Sequence, residues 1–153
     1  MNAMDVALLS TALAAAFAIA AIGGSFYEHL VVDPVWPARP DIIQPSRGGV
    51  SRKRFWIPLH VAMEVTLLLA LYLGWNIPGA RFWMLVAIAS HIAMRLWSAL
   101  DFIPKALAFE RAGDTGIDAG AARRWVQTSL LRLPLAMVTA AAAMVALLEI
   151  ARG

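Results

Sequence analysis

The chain has 153 residues, 61% of them hydrophobic and only 15% charged, with a mean hydropathy of +0.69, which excludes an ordinary soluble domain. Cysteine is absent, so disulfides, thiolate metal sites, iron–sulfur clusters and a redox-active thiol pair are excluded. The net charge is +3, but the basic residues fall at helix ends and in loops, which points to anionic lipid headgroups and away from nucleic acid.

The first apolar segment, 7–32, is rich in alanine. Met1 to Asp5 carries no positive charge and the run is long for a signal peptide, so it reads as a span. Gly23 and Gly24 lack side chains that would hold another helix away. Tyr27, Glu28 and His29 follow at once, either as an interfacial end or as part of a site.

Residues 33–54 contain Pro34, Pro37, Pro40 and Pro45 with Gly48 and Gly49, a composition that forbids a continuous helix. Arg39, Arg47, Arg52, Lys53 and Arg54 make this loop basic, and Trp36 and Trp56 read as interface anchors.

The second span, 55–75, carries His60 and Glu64 inside an otherwise apolar run. An ionisable group in a spanning helix costs roughly 2.5 kcal/mol or more, so such groups normally face a bundle interior or a polar cavity. Four residues apart, these two share a helical face. A short turn with Pro78 and Gly79 leads to a third span, 81–100, and predicts an antiparallel neighbour. That span holds His91 and Arg95, again four apart, with Trp97 beyond them.

Residues 101–125 read as a second extramembrane loop with a short interfacial helix, charged at Asp101, Lys105, Glu110, Arg111, Asp114, Asp118, Arg123 and Arg124 and broken by Gly113, Gly116 and Gly120. The fourth span, 126–150, contains Arg132, and Pro134 predicts a kink there. The expected fold is therefore one all-α transmembrane domain, four helices in an antiparallel bundle. The two long loops hold nine of the 13 Lys and Arg, so both are expected in the cytoplasm and both termini outside.

Counted from the loop end of each span at about 1.5 Å per residue, Glu28, His29, His60, Glu64, His91, Arg95 and Arg132 all fall in one half of the membrane. His60 and His91 come out roughly 8 Å apart in depth on that count. The expected site is a polar pocket closed by the two loops. His60, Glu64, His91 and Glu28 are its candidate acid–base residues, and Tyr27, Arg95, Trp56, Trp97 and Arg132 its candidate substrate contacts. His60 or His91 held by Glu64 would be a general base, since imidazole titrates near neutral pH and a carboxylate neighbour sets its tautomer. Other readings remain open. One iron held by His60, His91 and Glu64 is one; axial haem ligation by the two histidines is another; no cofactor at all is a third. A di-iron carboxylate site fails for want of carboxylates. Equally open is a reading in which the buried charges only set helix register, in a non-enzymatic subunit or a lipophilic-ligand-binding protein, and a homo-oligomer is open too.

The segment Gly23 to Pro37, GGSFYEHLVVDPVWP, followed by RFWIPLH from Arg54 to His60, resembles the anthrone oxygenase-like family of small four-helix bacterial membrane proteins. Tyr27, Glu28, Pro34, Trp36, Trp56, Pro58 and His60 carry the likeness, which covers the first two spans and the loop between them. Fungal members are associated with oxygenation of polycyclic anthrones without an obvious cofactor, and most bacterial members have no assigned function. The resemblance implies a bacterial inner-membrane protein acting on a lipophilic cyclic substrate. His60 and Glu64 alone also resemble the His and Glu of emopamil-binding-type sterol isomerases, which implies proton shuttling across a double bond.

Overall fold

The computed structural model describes residues 2–112 and 116–152; Gly113 and Asp114, read above as a break and a charge of the second loop, lie outside them. Six α-helices and several tighter or wider turns make up the fold, with no strand among the described residues. Four helical runs, Ala3–Val32, Lys53–Leu73, Pro78–Arg111 and Ala119–Arg152, are long and apolar enough to cross a membrane.

α1 (Ala3–Tyr27) starts on a capping box, in which Asn2 Oδ1 accepts from the Asp5 backbone N–H at 2.8 Å and Asp5 Oδ2 accepts from the Asn2 N–H at 2.9 Å. It ends in a π-helical turn, Glu28–Val32. α2 (Lys53–Leu73) and α3 (Pro78–Trp97) are joined by a short turn, with Pro78 in the first turn of α3, where a missing N–H costs nothing. A second π-helical turn, Ser98–Phe102, carries α3 into α4 (Ile103–Arg111). The third run thus stays helical well past position 100, where the sequence suggested that the span would end. α5 (Ala119–Ser129) is capped by Asp118, whose Oδ1 accepts from the Gly120 N–H at 2.7 Å. The irregularity expected at Pro134 lies one turn earlier: Leu130–Arg132 form a 3₁₀ turn and α6 (Leu133–Arg152) begins after it. A proline ring clashes with the carbonyl four residues before it, here that of Leu130, so the distortion precedes the proline.

The membrane core is built from small residues and a few long ones. Ala14, Ala18, Ala140, Ala143 and Ala146 bring α1, α3 and α6 close together, while Met63, Leu67 and Met84 fill what remains. α1 packs along α2 and α6, and α3 packs along α6. α2 and α3 are much less closely packed, although a short turn joins them. The antiparallel neighbour expected from that turn is therefore present, but the main partner of α3 is α6. Alanines permit the α3–α6 approach, and Ser90 Oγ seals it by donating to the Leu135 carbonyl at 2.8 Å. Between α2 and α3 the contacts include His60, Glu64, His91 and Arg95, larger side chains than the alanines of α6.

The two long loops form a second core at one end of the bundle. Trp36, Ile43, Phe102, Ala122 and Trp125 are buried together, with Trp36 edge-on to Trp125 at 5.9 Å. Trp36 is 0% exposed, so it is the centre of this cap and not the interface anchor that its place in a basic loop suggested. Gln44, also fully buried, donates through Nε2 to the carbonyls of Phe109 and Ala112 at 3.1 and 2.6 Å, which fastens the first loop to α4. Lys53 pairs with Glu110 at 2.8 Å, fastening α2 to the same helix. At the opposite end Ala7, Ala80 and Ile150 pack together, so the starts of α1 and α3 and the last turn of α6 lie side by side.

Candidate functional site

α2 starts two residues before the predicted span and regular α3 ends three residues earlier than the predicted one. Those shifts remove the expected depth difference. His60 lies about 10 Å from Lys53 and His91 about 9 Å from Trp97 along their helices. The two rings are neighbours, 5.7 Å between centroids. Side chains lean toward the N-terminus of their own helix, so Glu64 leans toward the cap and Arg95 away from it. They meet: Arg95 Nε donates to Glu64 Oε1 at 3.0 Å. The same oxygen lies 3.3 Å from His91 Nε2.

His60 is not bonded to Glu64. Its ring lies between two others, stacked on Trp56 at 5.6 Å and 20° on one side and tilted against His91 on the other. Trp56 in turn donates through Nε1 to Glu28 Oε1 at 3.1 Å. A continuous row therefore runs from the cap end of α1 through Glu28, Trp56, His60 and His91 to Glu64 and Arg95. Gly24 makes this row feasible, because a Cβ there would sit 2.5 Å from the Phe55 ring and 3.4 Å from Trp56.

A carboxylate oxygen only accepts hydrogen bonds, so in the neutral His91 ring that bonds to it Nε2 carries the proton and Nδ1 is a lone pair. Nδ1 of His91 and Nδ1 of His60 are both buried without a hydrogen-bond partner. Leaving such an atom unsatisfied costs on the order of 1–3 kcal/mol.

Other candidates lie elsewhere. Arg132 donates to Ser98 Oγ at 2.9 Å and sits over the Phe102 ring at 4.1 Å, beneath the cap. Tyr27 is 62% exposed and is not gathered into the row. Trp97 packs edge-on to Phe102 at 5.5 Å, also outside it. His29 Nδ1 lies 3.6 Å from Asp33, whose other oxygen accepts from Trp36 Nε1 at 2.9 Å. Asp33, just outside the first span, has its pKa raised by burial, against the opposing pull of the Trp36 hydrogen bond and of Arg52. Sequence reasoning missed Ser98 and Asp33; neither residue type at its position carries a spacing signal.

His60, His91 and Glu64 are not arranged as a metal triad: among the described residues no group of three or more His, Asp or Glu side chains is placed to hold an ion. Glu64 Oε1 is already taken by Arg95 and His91. The chain is thus an all-α, four-span protein with a histidine–glutamate–arginine cluster between its second and third spans. Comparison with protein-family models, with curated proteins and with solved structures gives no match.

Proposed function

We propose that this is an integral membrane enzyme that moves a proton on a lipophilic cyclic substrate, with Glu64 and His91 as its acid–base pair. The observation that carries the reading is the 3.3 Å contact from Glu64 to His91 Nε2, with an unpartnered Nδ1 on the far side of the same ring. A lone pair backed by a carboxylate is the arrangement of a general base. Nδ1 takes a proton from the substrate, the resulting imidazolium is stabilised by Glu64, and return of that proton to a second substrate atom completes an isomerisation. An oxygenase outcome would use the same abstraction, with dioxygen as co-reactant. The likeness to the anthrone oxygenase-like family adds support, because Glu28, Trp56 and His60, which carry it, are consecutive members of the row. We also assign the cap to the cytoplasm, on the Lys and Arg distribution.

Solvent-proton exchange tests the reading. Purified protein in lipid nanodiscs, transferred to D2O with a panel of ring-bearing lipophiles, should introduce deuterium into at least one of them above empty nanodiscs, as read by mass spectrometry. Glu64→Gln and His91→Phe should both abolish this, with helical circular dichroism retained. Exchange that survives in both variants would transfer the cluster to a purely structural role.

A further inference from the structure

Glu64 and Arg95 are only half satisfied by their contacts within the chain. Both bonds to Glu64, from Arg95 Nε and from His91 Nε2, fall on the one oxygen Oε1. Oε2 and the terminal amino groups of Arg95 take part in neither, and they are not among the buried unpartnered atoms. The two side chains are 40% and 38% exposed. Glu64 lies about 17 Å from Lys53 along α2, near the middle of a 21-residue helix, so this exposure is to the bilayer core and not to headgroups. Lipid tails offer neither donor nor acceptor, and an open ion pair among them is costly unless another polar group covers it.

The surroundings of the pair are those of a helix contact. Ile57, Val61, Leu68 and Tyr72 share a face of α2 with Glu64, at spacings of three and four, and all four are more than half exposed. Ile92 extends that face onto α3 beside Arg95. Of the spanning runs, α2 is the least covered by the rest of the chain: 22% of its apolar stretch is buried, against 33–39% in the others. Apolar exposure alone gives helices no reason to associate in a membrane, since lipid tails are as apolar as leucine. Polar atoms left unmatched do.

We propose that this face of α2 and α3 binds a second copy of the chain, in a two-fold dimer where Glu64 Oε2 of each copy accepts from the terminal amino groups of the partner's Arg95. Two copies inserted the same way round form a closed pair only about an axis along the membrane normal, and that axis keeps every residue at its own depth. A half-turn exchanges left and right. The carboxylate, on one side of the pair, arrives opposite the partner's Arg95, and the guanidinium opposite the partner's Glu64. The face is therefore complementary to itself in charge, and four charges of alternating sign close into a ring. The dimer completes a cluster that one copy leaves open. This goes beyond the proton-transfer reading and does not rest on it.

The chain has no cysteine, so Ala3→Cys, at the exposed start of α1, provides a single site for a fluorophore. Labelled protein in large liposomes, counted by single-molecule photobleaching over a range of protein-to-lipid ratios, should pass from one-step to two-step traces as its density rises, which yields a dimer Kd. Val61→Trp adds bulk at the centre of the face without touching the charges, and should weaken that Kd at least tenfold. Met144→Trp should change it less than twofold, because Met144 is as exposed as Val61 but stands on α6, which packs against α1 and α3. Glu64→Gln combined with Arg95→Gln should weaken the dimer at least tenfold as well. One-step traces at every ratio would overturn the proposal, and would leave water or a lipid headgroup as the cover for the pair. A dimer indifferent to Val61→Trp, or weakened as much by Met144→Trp, would overturn it by placing the interface elsewhere. Undiminished association of the neutralised variant would overturn the exchange of charges on which the dimer is argued. The two tryptophan variants decide alone should the neutralised one fail to fold.

Discussion

Arg95 and Glu64 join α2 and α3, which pack less closely than the other neighbouring helices of the bundle: the guanidinium Nε on α3 donates to Oε1 on α2 at 3.0 Å. Removing one partner of a pair held among apolar side chains leaves an uncompensated charge, typically at a cost of about 3–5 kcal/mol. Arg95→Leu should therefore lower stability substantially, and Arg95→Leu with Glu64→Gln should recover much of the loss. Thermal unfolding in detergent, run as a double-mutant cycle, measures the coupling. Additive effects would mean that the pair contributes nothing.

The cap should respond to pH in a direction set by Asp33. Burial raises its folded-state pKa, so the folded protein binds a proton over a range where the unfolded chain has already released it. Cap stability should then fall as pH rises from about 4 through the raised value. Asp118 has the opposite sign. The Gly120 and Ala121 N–H groups hold its pKa down, so its contribution is present above the ordinary value and lost as pH falls through the lowered one. Fluorescence of the buried cap tryptophans against pH, compared with Asp33→Asn, isolates the first effect. A slope unchanged in that variant would remove Asp33 as its source.

Gln44 is the main polar bolt between the first loop and α4. Gln44→Leu strands the carbonyls of Phe109 and Ala112, at a cost of about 1–3 kcal/mol each if they stay buried. The variant should show faster proteolysis in the cap than in the membrane core. Unaltered cleavage would show that Trp36 and Trp125 hold the loops by packing alone.

Gly24 lets α1 and α2 cross closely enough for Glu28 to reach Trp56. Gly24→Val should cost about 1–3 kcal/mol by overpacking, whereas Gly24→Ala should be milder, because a partly exposed Phe55 ring can swing aside. A red-shifted tryptophan emission in the valine variant alone would report loss of the Trp56 hydrogen bond.

The Lys and Arg distribution predicts that reporter fusions after Arg152 read out on the non-cytoplasmic side. A cytoplasmic signal would reverse the assignment of the cap without altering the cluster.

Much of this was legible in the sequence because a membrane span is a coarse signal, about 20 apolar residues read in one window. The pairing of His60, Glu64, His91 and Arg95 followed from their spacing of four and the short turn between their helices. Which nitrogen meets which oxygen did not follow, since that depends on a register shift of two or three residues at each helix end. Nor did the buried place of Trp36. An aromatic residue in a basic loop reads the same whether it meets lipid headgroups or a second core, and the choice depends on Phe102 and Trp125, 66 and 89 residues further on.

The packing of the first helix against the last has a bearing on how the protein is made. α6 leaves the ribosome after α1, α2 and α3, yet it supplies the surface on which both α1 and α3 rest. Until it inserts, the alanine faces of α1 and α3, together with Ser90, whose hydroxyl later finds the Leu135 carbonyl, have only lipid or one another to face. The α2–α3 hairpin, by contrast, already carries Glu64, His91 and Arg95 and can neutralise its own charges on arrival. Biogenesis can thus begin with a self-paired ionic hairpin and finish with an apolar keystone, and a chain truncated before Leu133 would be a substrate for membrane quality control, not a smaller working protein.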